Sequence, residues 1–270
     1  MIFLAIISFL VALTCLYLFC IGGRTSHPVM QELKKWNFAH RGLHNADRPE
    51  NSMSAFSAAL QAGYGIELDI HLMKDGNLAV MHDSSLLRTA GEDVCLEDLT
   101  LEQLDNYRLL CSGEQIPLFS DVLALFDGKA PLIVELKCVD GNHRELCQKT
   151  MAMLDGYHGT YCIESFDPRA IAWLRSNRPD VCRGQLSENW MGKKLAVPGV
   201  IKWALTYHIS NLYTRPDFIA YKFADRKSFG TDICRKWMGV AGVSWTLRTR
   251  DEYDTAIAEG WVPIFENFEI

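Results

Sequence analysis

Apolar residues recur along the chain in two spacings. Short runs rich in β-branched and aromatic residues read as strands, and they alternate with stretches of helical period. Strands are predicted at Asn37–Gly42, Ile66–Met73, Leu132–Lys137, Tyr161–Phe166, Cys182–Leu186, Phe218–Phe223, Gly242–Leu247 and Trp261–Glu266. A further short run, Leu78–His82, follows the turn Lys74-Asp75-Gly76-Asn77 and reads as the second arm of a hairpin. Helices are predicted from Pro49-Glu50-Asn51-Ser52 to about Ala62, at Leu99–Leu104, Phe119–Phe126 and Arg144–Leu154, from Pro168 to before Pro179, and at Asp251–Glu259. Asn51 or Ser52 caps the first of these, and Gly63 and Gly260 close the first and the last. Repeated β-α units with eight parallel-type strands predict a TIM (β/α)8 barrel. The runner-up, an open doubly wound sheet, has no Gly-x-Gly-x-x-Gly turn to support it.

The first twenty-two residues follow neither pattern. Ile2 to Ile21 carries no charge and is almost wholly apolar. A helix of that length, rising about 1.5 Å per residue, matches a bilayer core of roughly 30 Å. The segment lacks a basic start and a small-x-small cleavage motif, so it reads as an uncleaved transmembrane anchor rather than a signal peptide. Residues 23–35 read as a linker and 36–270 as one barrel domain, a length that suits a single barrel of roughly 250 residues. Only the chain's own amino group precedes the span, whereas Arg24, Lys34 and Lys35 follow it. The positive-inside rule then places the domain on the cytoplasmic side. Seven cysteines follow the span, an odd number without paired spacing, which agrees with free thiols in a reducing compartment. Net charge is −6, so no basic field invites nucleic acid.

Catalytic residues of such a barrel sit at the C-terminal ends of its strands. Those ends are His40-Arg41, Glu67 and Asp69, His82-Asp83, Glu135 and Lys137, Glu164, Lys222, Trp245 and Glu266. Glu67 and Asp69 are two apart on one strand and share a face. Three inward carboxylates (Glu67, Asp69, Glu135) cannot all stay ionised in a barrel mouth without a counter-ion. A hard divalent cation answers that need; a salt-bridge cluster with Arg41 and Lys137 is the equal alternative. His40 and His82 are the side chains best tuned to move protons near neutral pH. The other six histidines are set aside as surface or core. Trp245 is either a pocket wall or core. Lys222 either touches phosphate or pairs with Glu164 or Glu266.

Phe38-Ala39-His40-Arg41-Gly42, Arg48-Pro49-Glu50-Asn51-Ser52 and Ala55-Phe56 together resemble the opening motif of the glycerophosphodiester phosphodiesterase family. Glu67-Leu68-Asp69-Ile70, Lys74-Asp75-Gly76 and Val80-Met81-His82-Asp83 are similar to its second block, and Ile116-Pro117-Leu118 with Val134-Glu135-Leu136-Lys137 to its third. The resemblance runs from Trp36 to the end of the chain and is densest before Lys137. It implies a TIM barrel with a small insertion at about 83–116, and hydrolysis of glycerophosphodiesters to glycerol 3-phosphate and an alcohol. On matching positions it implies His40 and His82 as the acid/base pair. Glu67, Asp69 and Glu135 match the ligands of a divalent metal ion, magnesium or calcium. Arg41 and Lys137 match phosphate-binding cations, and Glu50 a position that orients Arg41. The chain departs from the family at its end, where Phe265-Glu266-Asn267-Phe268 replaces a Thr-Asp-aromatic-Pro segment. It also departs in the apolar stretch Leu186–Arg215, with Trp190 and Trp203, which suits a substrate lid or a surface resting on the bilayer. The anchor brings in a second substrate class, membrane lysophospholipids. An alternative of a different kind is a non-catalytic, membrane-held binder of phosphorylated ligands; the intact acid/base and metal positions weigh against it.

Overall fold

The computed structural model describes residues 1–194 and 197–270. Its strands are β1 (Phe38–His40), β2 (Gly65–Leu72), β3 (Leu78–Val80), β4 (Leu132–Leu136), β5 (Tyr161–Ser165), β6 (Arg183–Ser187), β7 (Phe218–Lys222), β8 (Ala241–Leu247) and β9 (Val262–Phe265). They pair in the order β1-β9-β8-β7-β6-β5-β4-β2, and β1 returns to β2 in parallel, which closes the barrel. β3 runs antiparallel on β2, outside the ring. This is a TIM barrel, and the open-sheet alternative is excluded by the β1–β2 pairing.

Before the barrel lie α1 (Ile2–Ile21) and α2 (Pro28–Leu33). Within it follow α3 (Met53–Gln61), α4 (Leu87–Ala90), α5 (Leu101–Leu104), α6 (Phe119–Phe126), α7 (His143–Leu154), α8 (Pro168–Asn177), α9 (Gly199–Thr206), α10 (Asn211–Thr214), α11 (Phe229–Asp232) and α12 (Arg250–Ala258). A π turn, Ile233–Trp237, continues α11. The Ser52 hydroxyl caps α3 by accepting from the Ala55 amide at 3.1 Å. Residues 83–116 pack as a small lobe around Leu86, Leu96, Leu104 and Ile116.

Alternation along each strand divides the barrel into layers. On β2, Ile66, Leu68 and Ile70 face the helices and join Phe56, Val122 and Phe126 in the main core. The opposite face of the strands lines the interior. Near the strand starts that lining is apolar, with Phe38, Ile133, Cys162, Phe218 and Val243 in one cluster. Two residues further along, Phe38 gives way to His40, Ile133 to Glu135 and Cys162 to Glu164. Gly65 makes room for this packing, since a Cβ there would meet the Phe38 ring at 2.7 Å.

The linker reading of residues 23–35 needs correction. Six of them form α2, which plugs the bottom of the barrel with Met30 and Leu33. Pro28 favours a helix start, and the His27 ring accepts the Val29 amide as its cap. Arg24 is held by Asp217 and by the carbonyls of Pro179 and Val181. Because Leu33 is fully buried, Leu33→Ala is expected to cost about 2–5 kcal/mol, measured by denaturant unfolding.

α1 is long and apolar enough to cross a membrane. Residues 1–16 are exposed, whereas Cys20 and Ile21 are buried against the barrel.

Candidate active site

Strand register assembles the site. His40 stands opposite Glu67 across β1–β2, Asp69 opposite Glu135 across β2–β4, and Glu135 opposite Glu164 across β4–β5. Oxygens of Glu67, Asp69 and Glu135 all lie within 4.8 Å of one another, and all three residues are buried. Lys137 Nζ lies 2.9 Å from Asp69 Oδ1 and 2.7 Å from Glu135 Oε1. Arg41 Nε is 3.3 Å from Asp69 Oδ2, and the Asn51 amide donates to the same oxygen at 2.9 Å. Arg41 takes a left-handed backbone (φ 54°), and its own N–H donates to Glu67 Oε2. Such a conformation is costly for a bulky residue and is often found where a site demands it.

The carboxylates are not equivalent. Burial, with Asp69 and Glu135 alongside, pushes the Glu67 carboxyl well above its ordinary range. Burial likewise pushes Glu135 up to about 7. At Asp69 burial acts in the same direction, but Lys137 and Arg41 outweigh it and hold the group low. Glu164 is raised by burial and then by Glu135, and its Oε2 is buried without a hydrogen-bond partner among the described residues. Two cations, Arg41 and Lys137, face four carboxyls, so full ionisation leaves negative charge uncompensated. The donors are all oxygen and converge on one point, which fits a hard divalent cation held by Glu67, Asp69 and Glu135.

Each of the two strand-end histidines is tied to a carboxylate through Nδ1. His40 Nδ1 meets Glu266, and His82 Nδ1 meets Asp83 at 2.6 Å. An ionised carboxylate only accepts, so Nδ1 carries the proton and Nε2 is left as an acceptor in both rings. His40 Nε2 faces Glu67 at 3.8 Å. Burial lowers both histidines below their ordinary range, although Glu266 and Asp69 respectively oppose it. A chain of charges then runs from the support of His82 to Arg41. Asp83 takes Arg88, Arg88 forks onto Glu50, and Glu50 Oε1 accepts from Arg41 at 2.9 Å. Glu50 thus bridges Arg41 and Arg88.

Trp245 walls a narrow cavity of about 40 Å³ that also contacts His40, Arg41, Glu67 and His82, and its ring stands edge-on to Phe166. A larger hollow of about 750 Å³ opens from His82, Glu135 and Lys137 toward Trp190, Val197 and Leu205. Lys222 goes elsewhere. Its Nζ pairs with Glu188 at 3.1 Å, so the expected pairing with Glu164 or Glu266 is not found. Glu188 sits just past the end of the neighbouring strand β6 and reaches Lys222 first.

Three contributors carried no assigned role in the sequence. Glu266 binds His40 and Arg248, with His44 at 3.7 Å. His71, set aside as surface or core, is buried with its Nε2 3.2 Å from the His82 carbonyl and its Nδ1 on Glu97. Arg88 reaches the site from the lobe. The only signal for Glu266 was its place as the last charged residue of the last strand. Since Glu266 raises the His40 pKa, Glu266→Gln is expected to shift the limb of the pH–rate profile that reports His40 to lower pH. Turnover should fall about tenfold as the ring loses its support.

Residues 40–268 match the family model described as the glycerophosphoryl diester phosphodiesterase family. A glycerophosphodiester phosphodiesterase of Bacillus altitudinis is 37% identical over 114 residues, covering 40% of this chain and 46% of that protein. The match thus spans a little under half of that relative's length. A lysophospholipase D of Rattus norvegicus is 29% identical over 146 residues, covering 48% of this chain and 45% of the other. Among solved structures, an Oleispira antarctica phosphodiesterase in complex with the product sn-glycerol 3-phosphate superposes with a TM-score of 0.70 at 20% identity, over 86% of this chain and 92% of that one. With the family model matched across the whole barrel, from His40 at the first strand to Phe268 after the last, this chain belongs to the glycerophosphoryl diester phosphodiesterase family.

Proposed function

We propose that the protein hydrolyses glycerophosphodiesters to sn-glycerol 3-phosphate and an alcohol, using His40 and His82 for proton transfer and a divalent ion, magnesium or calcium, at Glu67, Asp69 and Glu135. The observation that carries this reading is the pairing of the two histidines with the acidic cluster in one cavity. Arg41 and Lys137 face the phosphate position and neutralise its non-bridging oxygens. When bound, the metal ion supplies Lewis-acid stabilisation of charge on those oxygens. Glu266 and Asp83 fix the histidine tautomers, so each Nε2 can take or give a proton. One ring removes the proton of the attacking water or glycerol hydroxyl; the other protonates the leaving alcohol. Trp245 excludes water from one side. Phosphorus NMR of glycerophosphocholine incubated with the purified chain tests the reaction. Glycerol 3-phosphate as product supports it; glycerol with phosphocholine, or unchanged substrate, contradicts it.

A second reading concerns the substrate. The hollow running past Trp190, Val197 and Leu205 offers an apolar wall beside the phosphate position, which favours a lysophospholipid. We place the chain in the membrane through α1, with the barrel on the cytoplasmic side, on the strength of Arg24, Lys34 and Lys35. The nine cysteines are all free, which supports that side.

A further inference from the structure

The last turn of α1 belongs to the barrel wall. Ile21 is fully buried among Ile219, Cys234 and Val240. Its carbonyl accepts from the Asn211 amide at 2.8 Å. Arg215 donates to the carbonyls of Phe19 and Gly22 and lies over the Phe19 ring at 4.5 Å. A segment built in this way is fixed in direction.

That direction can be read from successive contacts. The Arg24 amide donates to the carbonyl of Pro216, just before β7 begins. Ile21 packs on Ile219, the second residue of β7. Tyr17 stacks on Phe229, beyond the end of β7, and its hydroxyl donates to the Tyr207 carbonyl. Stepping back along α1 therefore means stepping forward along β7. The helix runs antiparallel to that strand, and residues 2–16 leave the barrel on the side of the strand C-termini, where His40, His82 and the carboxylates lie.

Some exposed apolar residues lie on that side, whereas Leu212 and Tyr213 of α10, just before Arg215, do not. Val200 (71% exposed), Ile201 and Trp203 on α9 continue from Tyr207 away from the barrel bottom, with the Trp203 and Tyr207 rings 5.7 Å apart. Phe229 is 69% exposed at the start of α11. Trp237 is more exposed still, at 84%, but it ends the π turn at the opposite end, next to Met238, which packs on the cluster around Ile21.

We infer that the catalytic mouth faces the bilayer that α1 crosses, with Val200, Ile201, Trp203 and Phe229 immersed in its interface and Trp237 held away from it. The hollow past Trp190, Val197 and Leu205 belongs to the same segment, so a lysophospholipid enters from the leaflet. This last step rests on the hydrolase reading above. In it, water's oxygen bonds to phosphorus, the phosphorus–oxygen bond to the head-group alcohol breaks, and that alcohol takes the proton.

The test uses the full chain in phosphatidylcholine vesicles containing lipid brominated near the head group. Bromine quenching of tryptophan emission is compared among wild type, Trp203→Phe and Trp237→Phe. Loss of part of the quenched emission in Trp203→Phe alone is expected. Loss in Trp237→Phe instead, or no quenching in wild type, overturns the orientation. In the same vesicles, the combined variant Ile201→Ser, Trp203→Ser, Phe229→Ser is expected to turn over embedded lysophosphatidylcholine about tenfold more slowly. Turnover of soluble glycerophosphocholine should stay within about twofold, which also reports an intact fold. Unchanged lysolipid turnover in that variant overturns the entry route. Absence of turnover on either substrate in wild type would defeat the hydrolase reading while leaving the quenching result to decide the orientation.

Discussion

His40→Ala is expected to lower kcat/KM for glycerophosphocholine by about 10²–10⁴-fold while the barrel stays folded. The ring sits at the end of β1 with Nδ1 on Glu266 and Nε2 toward the acidic cluster, so on the proposed mechanism its removal takes away a proton carrier and not a piece of core. Glu266 keeps Arg248 after the substitution, and no new unpaired charge is buried. The same reasoning gives His82→Ala a similar loss. Steady-state kinetics beside circular dichroism checks both. Near-normal turnover in either variant removes that histidine from the mechanism.

A divalent ion should stabilise the protein strongly at pH 8 and weakly at pH 4.5. Glu67 and Glu135 are raised by burial, Glu135 to about 7 against an ordinary value near 4.5. A carboxyl with a raised folded pKa contributes stability below its unfolded pKa and loses it as pH rises through the folded one. The metal-free protein therefore forfeits stability as pH rises above about 4.5, up to about 7 at Glu135 and through the raised range of Glu67. A bound cation replaces the lost protons. At a hundred times its Kd it adds about 2.7 kcal/mol, or roughly 5–10 °C in Tm for a chain of this size. Glu135→Gln should lose that increment and lower turnover by at least about 100-fold, yet be more stable than wild type in chelator at pH 8. Scanning calorimetry with and without magnesium or calcium decides it. A wild-type Tm indifferent to both ions would speak against the metal site.

The barrel was legible because its outward faces obey simple periodicity. Ile66, Leu68 and Ile70 mark one side of β2, and Glu67 and Asp69 fall on the other. Register did the rest, and it follows from closing the ring: Asp69 meets Glu135 because β2 and β4 are neighbours. What the chain pattern did not reveal are contacts that depend on distant elements. Glu266 finds His40 only when β9 closes on β1. Lys222 was misplaced because Glu188, just past β6, is a nearer partner than either carboxylate considered for it. α10 and α11, of four residues each, are too short for a periodic signal, and α2 looked like linker because six residues carry less than two turns of pattern. The docking of Ile21 was hidden inside a segment that is apolar throughout.

The most direct measurement is the rate of sn-glycerol 3-phosphate release from glycerophosphocholine by the purified chain, in chelator and after adding back magnesium or calcium. Release that vanishes in chelator and returns with one of the ions is the expected result. Release that persists undiminished in chelator, or none with either ion, would contradict the joint role of the two histidines and the three carboxylates.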